Sequence, residues 1–156
     1  MTSNPVAVFR SSGRRGYSSA LSDNPHRVIA RKHRRGVEVR FASEACTVET
    51  PEGIVQAQPG DAILTADLGE RWRVSRGHFP DKYRPVSPTT AGNAGTYESL
   101  PIEVLALQMH EPFGVVLADG ESRLAGRPGD WLVDYGDGSL GIVAGPVFAR
   151  SYDIIG

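Results

Sequence analysis

A three-residue corner, Pro-Gly-Asp, occurs twice in this chain and constrains its folding more than any other feature. It stands at Pro59-Gly60-Asp61 and again at Pro128-Gly129-Asp130. When the second corner is laid on the first, seven of the 25 positions from Pro59 to Tyr83 are identical: the corner itself, Gly69/Gly138, Val74/Val143, Phe79/Phe148 and Tyr83/Tyr152. Upstream, Val48 meets Val115 and Gly53 meets Gly120 if the second copy carries two extra residues. Further back, Pro25-x-x-Val28-x-Ala30 is similar to Pro101-x-x-Val104-x-Ala106. Turn residues and core residues that stay in register together point to two copies of one supersecondary unit.

The corner has a physical logic. Proline presets φ at the first turn position, and glycine supplies a positive φ at the next. The aspartate can bond backbone N–H groups and fix the exit direction, which makes Asp61 and Asp130 scaffolding rather than paired catalytic carboxylates. A short apolar strand follows, at Ala62-Ile63-Leu64 or Trp131-Leu132-Val133. Asp67 to Gly69 and Gly136 to Gly138 then close hairpins. Each copy ends in Phe-x-x-x-Tyr, whose spacing of four puts both rings on one face of a helical turn.

At 156 residues the chain can bury a core, while one repeat of about 60 residues is marginal alone. The expected fold is mainly β: two tandem repeats of short antiparallel strands, small barrel- or roll-like units each with a short helical turn, packed as a pseudo-symmetric pair. The expected boundaries are a flexible tail over 1–24, a first unit over 25–86, a polar linker over 87–99 and a second unit over 100–156. Within the first unit, Lys32-His33-Arg34-Arg35 forms a basic hairpin with the alternating stretch Val37-Glu38-Val39-Arg40-Phe41, whose Val37, Val39 and Phe41 face inward. The second copy has no such insert. Its strand at Ile102 to Gln108 is apolar on both sides and therefore fits between two layers.

The corner of the second copy, Pro128-Gly129-Asp130-Trp131-Leu132-Val133, follows Leu100-Pro101-Ile102-Glu103-Val104 and Val115-Val116-Leu117-Ala118-Asp119-Gly120. In that order these pieces resemble the small bacterial and phage proteins named for a PGDYG-type motif. There an aromatic follows the Pro-Gly-Asp corner, an Asp-Gly or Glu-Gly turn precedes it, and a Phe-x-x-x-Tyr end closes the unit. The first copy keeps the closing piece as Phe79-Pro80-Asp81-Lys82-Tyr83-Arg84-Pro85 and departs at Ala62, where the aromatic is absent. The resemblance covers most of 25–86 and 100–155 and implies neither an activity nor catalytic residues.

Chemistry is sparse. The four histidines include no H-x-H or H-x-x-x-H pair, and the single cysteine, Cys46, rules out an intramolecular disulfide and a multi-cysteine zinc site, so no metal and no cofactor are expected. Cys46 is expected as a buried apolar residue. His78, with Arg76 and Asp81 nearby, could act as a general base in a cleft between the repeats, the reading of the chain as a small enzyme.

Charge is the stronger asymmetry. The net charge is −1, yet residues 1–40 hold nine Lys/Arg against two acids, +7, and residues 41–156 hold eight against 16, −8. Arg34, Arg35, Arg71, Arg73 and Arg76 would make one cationic face if the basic hairpin lay beside the strand at 71–76. Such a face suits a nucleotide, a nucleic acid or an acidic protein. The expected function is thus non-catalytic binding of an anionic partner. A protein-interaction subunit using exposed strand edges, including self-association into a homo-oligomer, is the third reading. No apolar run reaches membrane-spanning length and no secretory core is present, so the expected location is cytoplasmic, or mitochondrial if the Arg/Ser-rich lead-in is a presequence.

Overall fold

The computed structural model describes residues 6–156. In chain order the elements are β1 (Ala7–Arg10), α1 (Ser19–Ser22), β2 (Val28–Lys32), β3 (Gly36–Phe41), β4 (Cys46–Thr50), β5 (Gly53–Ala57), β6 (Ala62–Thr65), β7 (Arg71–Val74), α2 (Phe79–Lys82) and β8 (Tyr83–Pro85). There follow β9 (Gly95–Ser99), β10 (Glu103–Gln108), β11 (Phe113–Val116), β12 (Arg123–Gly126), β13 (Trp131–Asp134), β14 (Leu140–Val143), α3 (Gly145–Ser151) and β15 (Tyr152–Ile154). The described chain is mainly β, and its strands form two compact units. A middle unit spans 31–102. A terminal unit joins the described residues of 1–30 to 103–156.

The middle unit is built on the sheet β7-β6-β3-β9-β8, with the hairpin β4–β5 beside it. Alternation in β3 buries Val37 and Val39 and exposes Glu38 and Arg40, as its period of two requires. On that inner face Ala62, Leu64, Val74, Phe79, Tyr83 and Tyr97 complete the core, with Phe41 and Trp72 packed against it. The terminal unit is built on β14-β13-β10-β2-β15. A second sheet, β1-β11-β12, supplies Phe113 and Val115 to a core with Leu105, Leu132, Leu140 and Ile142. Val104, Leu105 and Ala106 are all buried, so β10 is apolar on both faces as its sequence requires.

Several expectations change. Both five-stranded sheets are open, with β7 and β8 or β14 and β15 at their edges, so neither is a closed barrel. The basic run does not make a hairpin: β2 and β3 belong to different sheets, and Pro25-x-x-Val28 and Pro101-x-x-Val104 lead into the neighbouring strands β2 and β10.

The lead-in of 1–24 is not a tail where it is described. β1 pairs in parallel with β11, Ala7 opposite Phe113, and Leu21 is fully buried in the terminal core. The physical reason is the second apolar face of β10, β13 and β14, whose Leu105, Leu132, Leu140 and Ile142 need a cover. The linker of 87–99 is in part a strand. β9 pairs with both β3 and β8 and buries Tyr97, whose hydroxyl donates to the Asn93 carbonyl at 2.8 Å. Cys46 is half-buried, not fully so.

Candidate ligand pocket

The two Pro-Gly-Asp corners have the same local geometry. Gly60 and Gly129 sit at φ +89° and +94°, a region where a Cβ is strained. Gly60 N–H donates to the Ala42 carbonyl at 2.8 Å, and Gly129 N–H to that of Met109 at 2.7 Å. The aspartate carbonyls return the bond, Asp61 to Ala42 N–H and Asp130 to Met109 N–H, both at 2.9 Å. Each carboxylate accepts from the backbone three residues back: Asp61 from Gln58 at 2.8 Å, Asp130 from Arg127 at 3.0 Å. Pro59 and Pro128 enter the corners from the solvent side. Register continues the likeness. Phe41 faces Ala62 and Ala62 faces Val74 in the middle unit, while Gln108 faces Trp131 and Trp131 faces Val143 in the terminal unit.

Beyond the corner the two units diverge in what fills the space. In the middle unit Phe79 stacks on Tyr83, with centroids 5.2 Å apart and planes 13° from parallel. Phe41 and Tyr97 close on Phe79 edge-on, at 5.4 Å and 5.0 Å. The Arg76 side chain lies over Gly60, with its Cδ 2.8 Å from where a Cβ would stand. The corner is full.

In the terminal unit Trp131, Phe148 and Tyr152 stack in one row, 4.0 Å apart at 9° and then 4.9 Å apart at 14°. Gln108 stands across from Trp131, where the middle unit has Phe41 across from Ala62. Gly145 comes close enough that a Cβ would lie 2.8 Å from the Gly129 carbonyl oxygen. An open groove of about 390 Å³ remains, lined by Gln108, Trp131, Gly145, Phe148 and Tyr152 with Ala149, Asp153 and Ile154. That volume is within the range of small-ligand sites.

A family profile described as "PGDYG protein" matches residues 53–153, a span that holds both corners and nearly all of the pocket lining. The chain belongs to the PGDYG family. No curated protein and no solved structure matches it. In this PGDYG chain the aromatic that follows the motif aspartate, Trp131, is a wall of the cavity.

The residues singled out for charge are elsewhere, all in the middle unit. Arg71 is exposed on edge strand β7. Arg73 is half-buried, and its Nη1 approaches Asp61 Oδ2 at 3.5 Å. Arg34 and Arg84 both reach Glu98, and Arg35 reaches Asp67 at 3.8 Å. Lys32 donates to the Tyr83 hydroxyl at 3.0 Å. Acids are thus laced through the arginines, and cross-strand order puts Thr65 between Arg71 and Glu38. His78 precedes α2 and its Nδ1 is 3.0 Å from Ser75 Oγ, while Asp81 is exposed on α2. None of Arg76, His78 and Asp81 lines the cavity.

Sequence reasoning treated Phe148 and Tyr152 as core and missed Gln108 and Gly145. The available signal was the mismatch of Ala62 with Trp131 at otherwise matched positions.

Burial also marks Asp134, at the end of β13. Desolvation raises its pKa, against hydrogen bonds from Ser18 N–H at 2.7 Å and Gly136 N–H at 3.0 Å. Tyr17 beside it is raised too, first by burial and then by the Asp134 and Glu103 carboxylates. These groups fasten the N-terminal strap: Gly13 and Gly16 N–H donate to the carbonyls of Gly138 and Gly136.

Proposed function

We propose that the chain is a non-catalytic binding protein made of two copies of one unit, in which one copy keeps a ligand pocket and the other has filled it. The spacing of the elements supports the duplication. β2, β3 and β4 begin at Val28, Gly36 and Cys46, and β9, β10 and β11 follow at one constant offset, at Gly95, Glu103 and Phe113. β6, β7 and β8 begin at Ala62, Arg71 and Tyr83, and β13, β14 and β15 follow at a second constant offset, at Trp131, Leu140 and Tyr152. On this reading the copies have exchanged their first strands: β9 completes the sheet of β3, and β2 that of β10. The first offset also matches Tyr97 with Ala30, a large ring against a methyl group.

The observation that carries the pocket reading is the contrast at one corner. Phe41, Tyr97 and Arg76 occupy it in the middle unit; Gln108, Trp131 and Gly145 leave it open in the terminal unit. An anion at the arginines is the weaker reading, because Glu98, Asp67 and Asp61 already neutralise three of the five, Arg34, Arg35 and Arg73, in part. A fragment library screened by amide shifts on the labelled protein tests this. Hits should cluster at Gln108, Gly145 and Ala149 and vanish in Ala149→Phe, a substitution at an exposed lining position. Hits that instead gather on Arg71 and Arg40 would restore the anionic reading.

A further inference from the structure

The pocket's chemistry points to its class of ligand, given the reading above that it is a binding site. We infer that it takes a flat, uncharged heteroaromatic group that donates a hydrogen bond from its edge, and that it discriminates against anions.

The aromatic row comes first. In the middle unit the Phe79–Tyr83 stack is capped edge-on by Phe41 at 86° and Tyr97 at 64°. In the terminal unit, among the described residues, Trp131 and Phe148 have no edge-on ring partner. A planar guest lying against this row would add ring contact of the kind already present, and offset or edge-on packing is what such rings favour.

Charge comes second. No Lys, Arg or His is among the eight lining residues, and the one carboxylate there is Asp153. An anion there would lose water with no cation among the lining residues to compensate it. This separates the pocket from the arginine-bearing strands of the middle unit, where an anion would find partners.

Polar contact comes third. Gln108 is exposed at the rim, and its Nε2 donates to the Gly129 carbonyl at 3.2 Å. That bond fixes which way the amide lies and leaves Oε1 as an acceptor at the cavity. A ring N–H or a carboxamide N–H on the guest is its complement.

The test uses two probes of one shape, indole-3-carboxamide and indole-3-carboxylate, titrated into the full chain carrying Trp72→Phe, so that Trp131 is the remaining tryptophan of the protein. Amide shifts report binding in parallel, free of the probes' own fluorescence. The carboxamide should bind saturably and the carboxylate about tenfold or more weaker. Gln108→Leu should weaken the carboxamide by about three- to tenfold. Ala149→Phe should abolish both. If the carboxylate binds as well as the carboxamide, or better, and Ala149→Phe still abolishes it, the pocket stands and the ligand class is overturned. The ligand class is overturned in the same way if neither probe binds while library fragments do. If no compound of any class perturbs Gln108, Gly145 or Ala149, the pocket reading fails, and the ligand class with it.

Discussion

Replacing the two motif aspartates should have unequal effects, although their corners match. Asp61 is 5% exposed and accepts from Gln58 N–H and Arg76 N–H at 2.8 and 2.9 Å, with Arg73 Nη1 at 3.5 Å. Asp130 is half-buried, and its carboxylate accepts from Arg127 N–H alone among the described residues. At the matching positions Ile142 has no side-chain donor, and the Gly145 N–H does not reach the Asp130 carboxylate as the Arg76 N–H reaches that of Asp61. Asp61→Ala therefore removes two charge-assisted backbone bonds and strands the mostly buried Arg73 guanidinium, whose Nε has no hydrogen-bond partner among the described residues. The expected loss is about 3–5 kcal/mol. Asp130→Ala removes one bond at a half-exposed site, about 1–1.5 kcal/mol.

Urea unfolding reports the two units separately, because Trp72 packs on the middle core and Trp131 lies in the terminal unit. In a Trp131→Phe background the Trp72 transition should move far in Asp61→Ala. In a Trp72→Phe background the Trp131 transition should move little in Asp130→Ala. Equal shifts, or a larger one for Asp130, would refute the assignment of Asp61 as a hub that also anchors Arg73 and the approach to α2.

Further outcomes concern the N-terminal strap and the terminal core. Gly138 has φ +91°, and a Cβ there would run into the Arg14 backbone. Gly138→Ala should thus loosen the strap and speed tryptic cleavage after Arg14 or Arg15 by about tenfold. Leu21→Ala empties a fully buried site and should cost the terminal unit about 2–5 kcal/mol in urea unfolding; no loss would mean that the strap is not part of the core. Asp134 has a folded pKa raised above its unfolded value of about 3.9. Its contribution is then most favourable below the unfolded value and is lost as pH rises through the folded one. Relative to Asp134→Asn, the wild-type chain should gain stability as pH falls from 7 toward about 4, measured by urea midpoints at each pH. A relative gain in the opposite direction would contradict the burial argument.

Much of the framework was legible because it is written locally. A positive φ after proline calls for glycine at Gly60 and Gly129, and Gly69 and Gly138 mark their hairpins by the same rule. The inward set Val37, Val39, Trp72 and Val74 follows from a period of two, and Phe-x-x-x-Tyr from the helical turn. The strap and β9 were not legible. Their strand character comes from partners far along the chain, as Ala7 shows by pairing with Phe113. Strand propensity there is decided by pairing and burial rather than by the stretch itself.

The pocket divides along the same line. The sequence by itself determined that two corners of one shape exist, that aromatics gather behind them and that Trp131 has no counterpart at Ala62. Only the tertiary structure decided that β9 joins the sheet of β3 and β2 that of β10, and hence that Tyr97 packs on Phe79 while an open groove remains beside Trp131. Local sterics set a turn from its own residues. Whether a cavity survives beside it depends on the side chains that other strands bring to the same place.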